Sequence, residues 1–119
     1  MENNTSSRSV GYNGEDIAVK FLIENGFNII KRNFRYKHYE IDLIASKSDC
    51  LHFIEVKFRK NNNFGYPESF VSDSQKCRIK LAAEKYIYDI SWSDRIMFDI
   101  VSIEKSKKDF KVLFFEDSF

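Results

Sequence analysis

Apolar residues recur at helical spacing in "GYNGEDIAVKFLIENGF", where Ile17, Ala18, Phe21 and Leu22 share one face and Gly26 sits where a C-cap glycine belongs. The spacing predicts a first helix over residues 15–25. "FNIIKRNFRY" follows as a β-rich run, and "YEIDLIASKSDCLHFIEVKFRK" reads as two strands of a hairpin, with "SKSD" at residues 46–49 as its turn. A polar stretch, "RKNNNFGYPES" at residues 59–69, holds the single proline and predicts a loop. Beyond it, Ser72 and Gln75 have capping-box spacing, and Ile79, Ala82, Ala83, Tyr86, Ile87 and Ile90 form an apolar stripe, predicting a second helix over about residues 73–88. "DRIMFDIVSIEK" is apolar on both faces, as a strand covered from both sides would be, and "DFKVLFFED" supplies a last strand. The order α-β-β-β-α-β-β predicts an α/β fold, a mixed central sheet flanked by helices.

The hairpin carries charges that a plain sheet does not need. Side chains alternate faces along a strand, so Glu40 and Asp42 are expected on one face of the first strand and Glu55, Lys57 and Arg59 on one face of the second. The complementary sets are Tyr39, Ile41, Leu43 and Ala45, and Cys50, His52, Ile54, Val56 and Phe58, largely apolar and expected to pack together. The charges then converge on the other surface. With a turn at residues 46–49, Asp42 is expected opposite Phe53, a diagonal step from Glu55, and a bulge or longer loop brings the carboxylates closer. Two close carboxylates repel unless a proton or cation sits between them, and oxygen ligands at this density suit Mg²⁺ or Mn²⁺ better than Zn²⁺. Lys57 is placed to orient a metal-bound water or to stabilise charge developing on a phosphate. The same pattern also describes a solvated polar face with cross-strand pairing, and periodicity alone does not choose between the two.

Two helix positions bear on that choice. Glu15 lies three residues before Ala18 and seven before Leu22, beside the apolar face of the first helix; an acid in a first helical turn is also its plain structural reading. Lys76 lies three before Ile79 and seven before Ala83, on the buried stripe of the second helix, where a snorkelling lysine is the plain reading.

Composition narrows the class. The 119 residues, 43% hydrophobic, suit one domain over residues 11–119, preceded by a low-hydrophobicity opening at residues 1–10 expected to be a flexible tail. The aromatic share of 16% makes a homodimer interface plausible. A net charge of +1 gives no global pull toward nucleic acid, so such binding needs a local patch, for which Arg35, Lys37, Arg59 and Lys60 are the candidates beside the plain alternative of scattered surface cations. Cys50 and Cys77 lack CxxC spacing and read as buried small hydrophobes. No signal-peptide pattern or membrane-spanning run is visible, and a cytoplasmic protein without a membrane partner is expected. His38 and His52 have no companions at zinc-site spacing and are taken as structural. Asp99, in an apolar strand, is expected either to pair with a buried base such as Lys or Arg or to approach the site from the adjoining strand.

"GYNGEDIA…FLIENGF", "NFR", "YEIDLIA", "FIEVKFR", "FG" and the Lys76 helix, in that order and spacing, resemble the bacterial UPF0102 (YraN-like) family over nearly the whole domain. That family looks like part of the PD-(D/E)XK nuclease superfamily, with a restriction-endonuclease-like fold, and is similar in its motifs to archaeal Holliday junction resolvases. The resemblance implies Asp42 and Glu55 as ligands of Mg²⁺ or Mn²⁺, Lys57 as the motif lysine, and Glu15 as the acid from the first helix. Glu40 and Lys76 match further polar positions. The implied activity is metal-dependent hydrolysis of phosphodiester bonds in DNA, with structured or branched DNA as substrate by analogy. The chain departs from the family pattern in having Tyr39 where Gly usually precedes Glu-Ile-Asp, and in its nearly neutral charge. Those departures motivate a second expectation, a non-catalytic nucleic-acid-binding or assembly module on the same fold. The aromatic richness motivates a third, a partner-binding domain.

Overall fold

The computed structural model describes residues 6–60 and 71–119, with side chains described over 14–59 and from 71 onward. The elements are α1 (Ser6–Glu24), β1 (Asn28–Tyr36), β2 (Tyr39–Lys47), β3 (Cys50–Lys60), α2 (Asp73–Ile90), β4 (Arg95–Lys105) and β5 (Phe110–Phe115). The strands form one mixed sheet in the order β1-β2-β3-β4-β5. Only β3 and β4 pair in parallel; the other three pairings are antiparallel. This is the expected element order and the restriction-endonuclease-like α/β arrangement. The expected loop over 59–69, including the "FG" stretch at Phe64 and Gly65, falls almost wholly outside the described residues, as do the first five residues of the expected tail. Helix α1 starts at Ser6, ahead of the residue 15 that periodicity marked.

A parallel neighbour needs a crossover, and α2 supplies it between β3 and β4. Its apolar stripe seals one face of the sheet: Ile79, Ala82, Ala83 and Tyr86 pack with Ile41, Ile44, Phe53 and Ile100. Helix α1 seals the other face, where Ala18 and Leu22 pack with Leu43, Ala45, Ile54, Val101 and Ile103. Strand β4 is therefore covered on both sides, as its two-faced apolar run required. Ser72 caps α2, its Oγ accepting the Gln75 N–H at 3.1 Å. Gly26 ends α1 at φ +89°, a left-handed position where a side chain is strained. Gly14 is small for another reason: a Cβ there would stand 2.9 Å from the Phe58 ring of β3, so its absence lets the helix that carries Glu15 approach the sheet.

Two expectations about the hairpin are corrected. The turn holds two residues, Ser48 and Asp49, at φ +50° and +62°, with Lys47 opposite Cys50. Two successive left-handed residues match the right-handed strand twist, which four turn residues need not do. The register then runs through Leu43 opposite Ile54, and its continuation sets Asp42 opposite Glu55, not Phe53. Face parity also fails along β2. Ile41 packs in the α2 layer, whereas Leu43 and Ala45 pack in the α1 layer. The same switch occurs in β1, where Arg32 reaches α1 and Phe34 reaches α2. Between them lies Asn33, at φ +55°, bracketed with Asp42 by the pairs Arg32–Leu43 and Phe34–Ile41. A left-handed residue in one strand and a departing carboxylate in the other turn the β1–β2 ribbon over at Asn33 and Asp42.

Candidate active site

Where β2 turns over, Asp42 leaves the ordinary ladder and its Oδ2 accepts the Val56 N–H at 2.8 Å. That bond pins the carboxylate beside β3 next to Glu55. Glu55 is buried, and its Oε2 is held from two sides, by Gln75 Nε2 at 2.7 Å and by Lys57 Nζ at 3.2 Å. Alternation on β3 explains the pair: Phe53, Glu55 and Lys57 face the α2 layer while Ile54, Val56 and Phe58 face α1.

Charge crowding shows in Asp42. Its carboxyl is pushed up to about 7, first by burial and then by the negative charge of Glu55, while the Val56 N–H pulls the other way. A hydrogen bond between the two carboxyls and the more remote charge of Glu15 push in the same direction. The pair therefore favours a shared proton, or a cation in its place.

Glu15 reaches this neighbourhood from α1, anchored by β1. Its Oε1 accepts from Arg32 Nη2 at 3.0 Å and from Asn33 Nδ2 at 3.2 Å. Arg32 Nη2 also bonds Asp16 Oδ1 at 2.8 Å, so one guanidinium gathers two adjacent helix acids. The residue that turns β1 over thus also holds Glu15.

The other expected residues are placed elsewhere. Glu40 pairs with Arg35 across β1 and β2 at 3.4 Å, on an exposed edge. Lys76 stands 4.0 Å from Asp73 and lines an open groove on α2 with Cys77 and Lys80. Arg59 follows Lys57 by two residues and lies in register with Glu104 of β4. Cys50 is buried as expected, but Cys77 is exposed because it falls off the apolar stripe of α2. Asp99 pairs with His52, not with Lys or Arg, at 2.6 Å from Oδ2 to Nδ1, and it packs away from Glu55.

Gln75 and Arg32 were missed by sequence reasoning. Gln75 was visible only as a capping residue, yet it lies four, seven and eight residues before Ile79, Ala82 and Ala83, on the stripe that meets the sheet. Arg32 carried no signal beyond its charge. Because Gln75 donates to a buried carboxylate, Gln75→Ala is expected to lower stability by about 1.5–3 kcal/mol. Urea unfolding that leaves the midpoint unmoved would show that the bond contributes nothing.

Among the described residues, no three His, Cys, Asp or Glu side chains close around one point as a ready metal cage. Asp42 and Glu55 supply the oxygen donors that are present together. Mg²⁺ characteristically takes one or two protein carboxylates and fills its other positions with water and phosphate, so an open two-carboxylate set fits that ion chemically.

The family model described as uncharacterised protein family UPF0102 matches residues 14–103. The chain belongs to the UPF0102 family. It is similar to a UPF0102 protein of Cytophaga hutchinsonii, 47% identical over 78% of this chain and 82% of that one. A Flavobacterium psychrophilum member is 36% identical over 92% of both chains, and a Clostridium perfringens member 37% identical over 95% of both. The UPF0102 match runs from within α1, through the hairpin and the crossover, into β4, and so takes in Glu15, Asp42, Glu55 and Lys57. Among the described residues, no helix is long and apolar enough to cross a membrane.

Proposed function

We propose that this UPF0102 member is a divalent-metal-dependent nuclease that hydrolyses phosphodiester bonds in DNA, structured or branched DNA above all. The observation that carries the reading is half-buried Asp42 set beside buried Glu55, with Lys57 on the same face, 3.2 Å from Glu55. A structural ion pair needs one acid and one base; here a second, half-buried acid is set against the buried first, at a cost in stability that a charge-binding site explains. Mg²⁺ or Mn²⁺, held by Asp42 and Glu55, would supply electrophilic stabilisation of a phosphate oxygen and an activated water.

The chain's own residues divide the remaining work. Val56 N–H and Gln75 fix the two carboxylates so that they need not reorganise. Lys57 brings a positive charge to the side of the pair where phosphate charge would grow. Glu15 adds negative potential behind Asp42 and is itself steadied by Arg32 and Asn33. A cytoplasmic setting, DNA as partner and a homodimer belong to the same proposal.

The test is cleavage by purified protein with Mg²⁺ or Mn²⁺ on linear, flapped and four-way DNAs. Cleavage of at least one is expected, with Lys57→Ala slowing it by about 100-fold and Asp42→Ala or Glu55→Ala abolishing it. If nothing is cut, or if the Asp42 and Glu55 variants cut as well as the parent, the catalytic reading fails. DNA binding unaffected by a chelator would then favour the non-catalytic module that Tyr39 and the nearly neutral charge motivate.

A further inference from the structure

Ser102 interrupts the apolar run "IVSI" of β4 with a hydroxyl. The residue is fully buried, and its Oγ has no hydrogen-bond partner among the described residues. Buried hydroxyls are ordinarily paired, because leaving one unpaired forfeits the bonds that water gave it. A Val or Ala would fill the same strand position without that cost.

Its neighbours give the hydroxyl a use. Ile100 packs in the α2 layer while Val101 and Ile103 pack in the α1 layer, so alternation turns Ser102 toward α2. On one side stands Leu113 of β5, which offers no polar side-chain atom. On the other, in parallel register, stands Lys57 of β3. Strands lie about 4.8 Å apart and in-register side chains share a face, so the Lys57 stem runs alongside Ser102.

Lys57 now rests on Glu55 Oε2, which Gln75 also occupies. A divalent cation on Asp42 and Glu55 would draw on the same oxygen lone pairs and repel the ammonium as a like charge. The lysine then needs another acceptor. We propose that Ser102 is a positioning residue for Lys57: its Oγ accepts the ammonium when a divalent cation takes Glu55, and so keeps the lysine beside the site. This inference rests on the metal-dependent reading above and adds to it the residue that holds the lysine in the metal-bound state.

The experiment is NMR of protein carrying ¹³C-labelled lysine and aspartate, titrated with Mg²⁺, with Lys57 assigned through Lys57→Arg and Asp42 through Asp42→Asn. In the parent, Mg²⁺ is expected to shift the Asp42 carboxyl and to move the two Lys57 ε-proton signals while they stay inequivalent, as an ammonium held first by Glu55 and then by Ser102 requires. In Ser102→Ala the Asp42 shift persists at the same Mg²⁺ concentration while the Lys57 ε-protons collapse to one signal; Ser102→Thr, which keeps a hydroxyl, restores the splitting. Turnover on DNA is expected to lose kcat in Ser102→Ala with KM unchanged. Ser102→Ala removes only an unpaired hydroxyl, so it is expected to fold at least as stably as the parent without metal, and Ser102→Cys serves as a second poor acceptor. If Lys57 responds to Mg²⁺ identically in the parent, Ser102→Ala and Ser102→Cys while Asp42 shifts in all three, this inference is overturned and the metal reading stands. If Asp42 does not respond in the parent, the metal reading falls and carries the inference with it.

Discussion

Asp42→Asn is expected to make the metal-free protein more stable than the parent at pH 8. In the folded chain the Asp42 carboxyl is raised to about 7, by burial and by the charge of Glu55, whereas an unfolded aspartate titrates near ~3.9. Between those two values the folded state holds a proton that the unfolded state has lost, so stability falls as pH rises through that window and levels off above about pH 7. At ~1.4 kcal/mol per pH unit the penalty above neutrality is on the order of 2–4 kcal/mol. An Asn side chain carries no charge, its oxygen can still accept the Val56 N–H, and its amide can donate to Glu55.

A gain of that size should raise the thermal midpoint at pH 8 by roughly 5–15 °C. The gap should narrow toward pH 4, where the parent's Asp42 is protonated in the folded state and about half protonated in the unfolded one. Thermal unfolding across pH 4 to 8 measures it. A variant less stable than the parent at pH 8 would show that the two carboxylates do not strain one another. Millimolar Mg²⁺ is expected to recover stability in the parent, because a ligand bound only by the folded state adds RT ln(1 + [L]/Kd), and to do little for Asp42→Asn. Stability withheld at one residue and returned by a cation is the signature expected of a functional carboxylate pair.

The elements were legible because each carries its own periodicity: the α2 stripe from Ile79 to Tyr86, the cap at Ser72, and the two-faced apolar run of β4 all mark what they form. The site was legible only in outline. Parity reasoning treats a strand as one regular ribbon, and the ribbon turns over at the residue that matters, Asp42, opposite a left-handed Asn33. Neither residue announces that behaviour, since Asn33 sits inside a β-rich run and Asp42 inside an alternating strand; the hairpin turn was hidden too, Ser48-Asp49 being a less familiar two-residue turn than Asn-Gly. Glu55 and Lys57 were placed correctly on one face because β3 keeps its alternation throughout. Lys76 and Gln75 are adjacent on α2, and a rotation of one residue, about 100°, decides which meets Glu55. The helical stripe contained that answer, but the charge on Lys76 drew the inference.

Asp99→Ala is expected to cost more stability than Gln75→Ala while leaving the candidate site intact. Both carboxylate oxygens of Asp99 are engaged: Oδ2 binds His52 Nδ1 at 2.6 Å, and Oδ1 accepts the Asp117 N–H at 2.8 Å. His52 is buried and meets Phe27 in a T-shaped contact, with ring centroids 4.9 Å apart. Removing the carboxylate strands a buried imidazole and a backbone N–H together, and breaking one partner of a buried pair costs about 3–5 kcal/mol. Against a total of roughly 5–15 kcal/mol for a domain, that is a large share. The closing segment should loosen first, since Asp117 is followed by a Ser118 N–H that bonds the Phe98 carbonyl at 2.7 Å and by Phe119, whose ring meets Phe98 at 5.4 Å. Asp99→Asn keeps an oxygen for Asp117 and an amide for one His52 tautomer, so it should lose less than half as much. Urea unfolding gives the free energies, and hydrogen exchange at Asp117 reads the local release. Asp99 alternates onto the α1 side of β4 with Val101 and Ile103, opposite Glu55 and Lys57, so Mg²⁺ affinity per folded molecule should stay at the parent value. An Asp99→Ala protein of parental stability would refute the buried pair as a structural device, and a lost Mg²⁺ response in a folded variant would place Asp99 in the site after all.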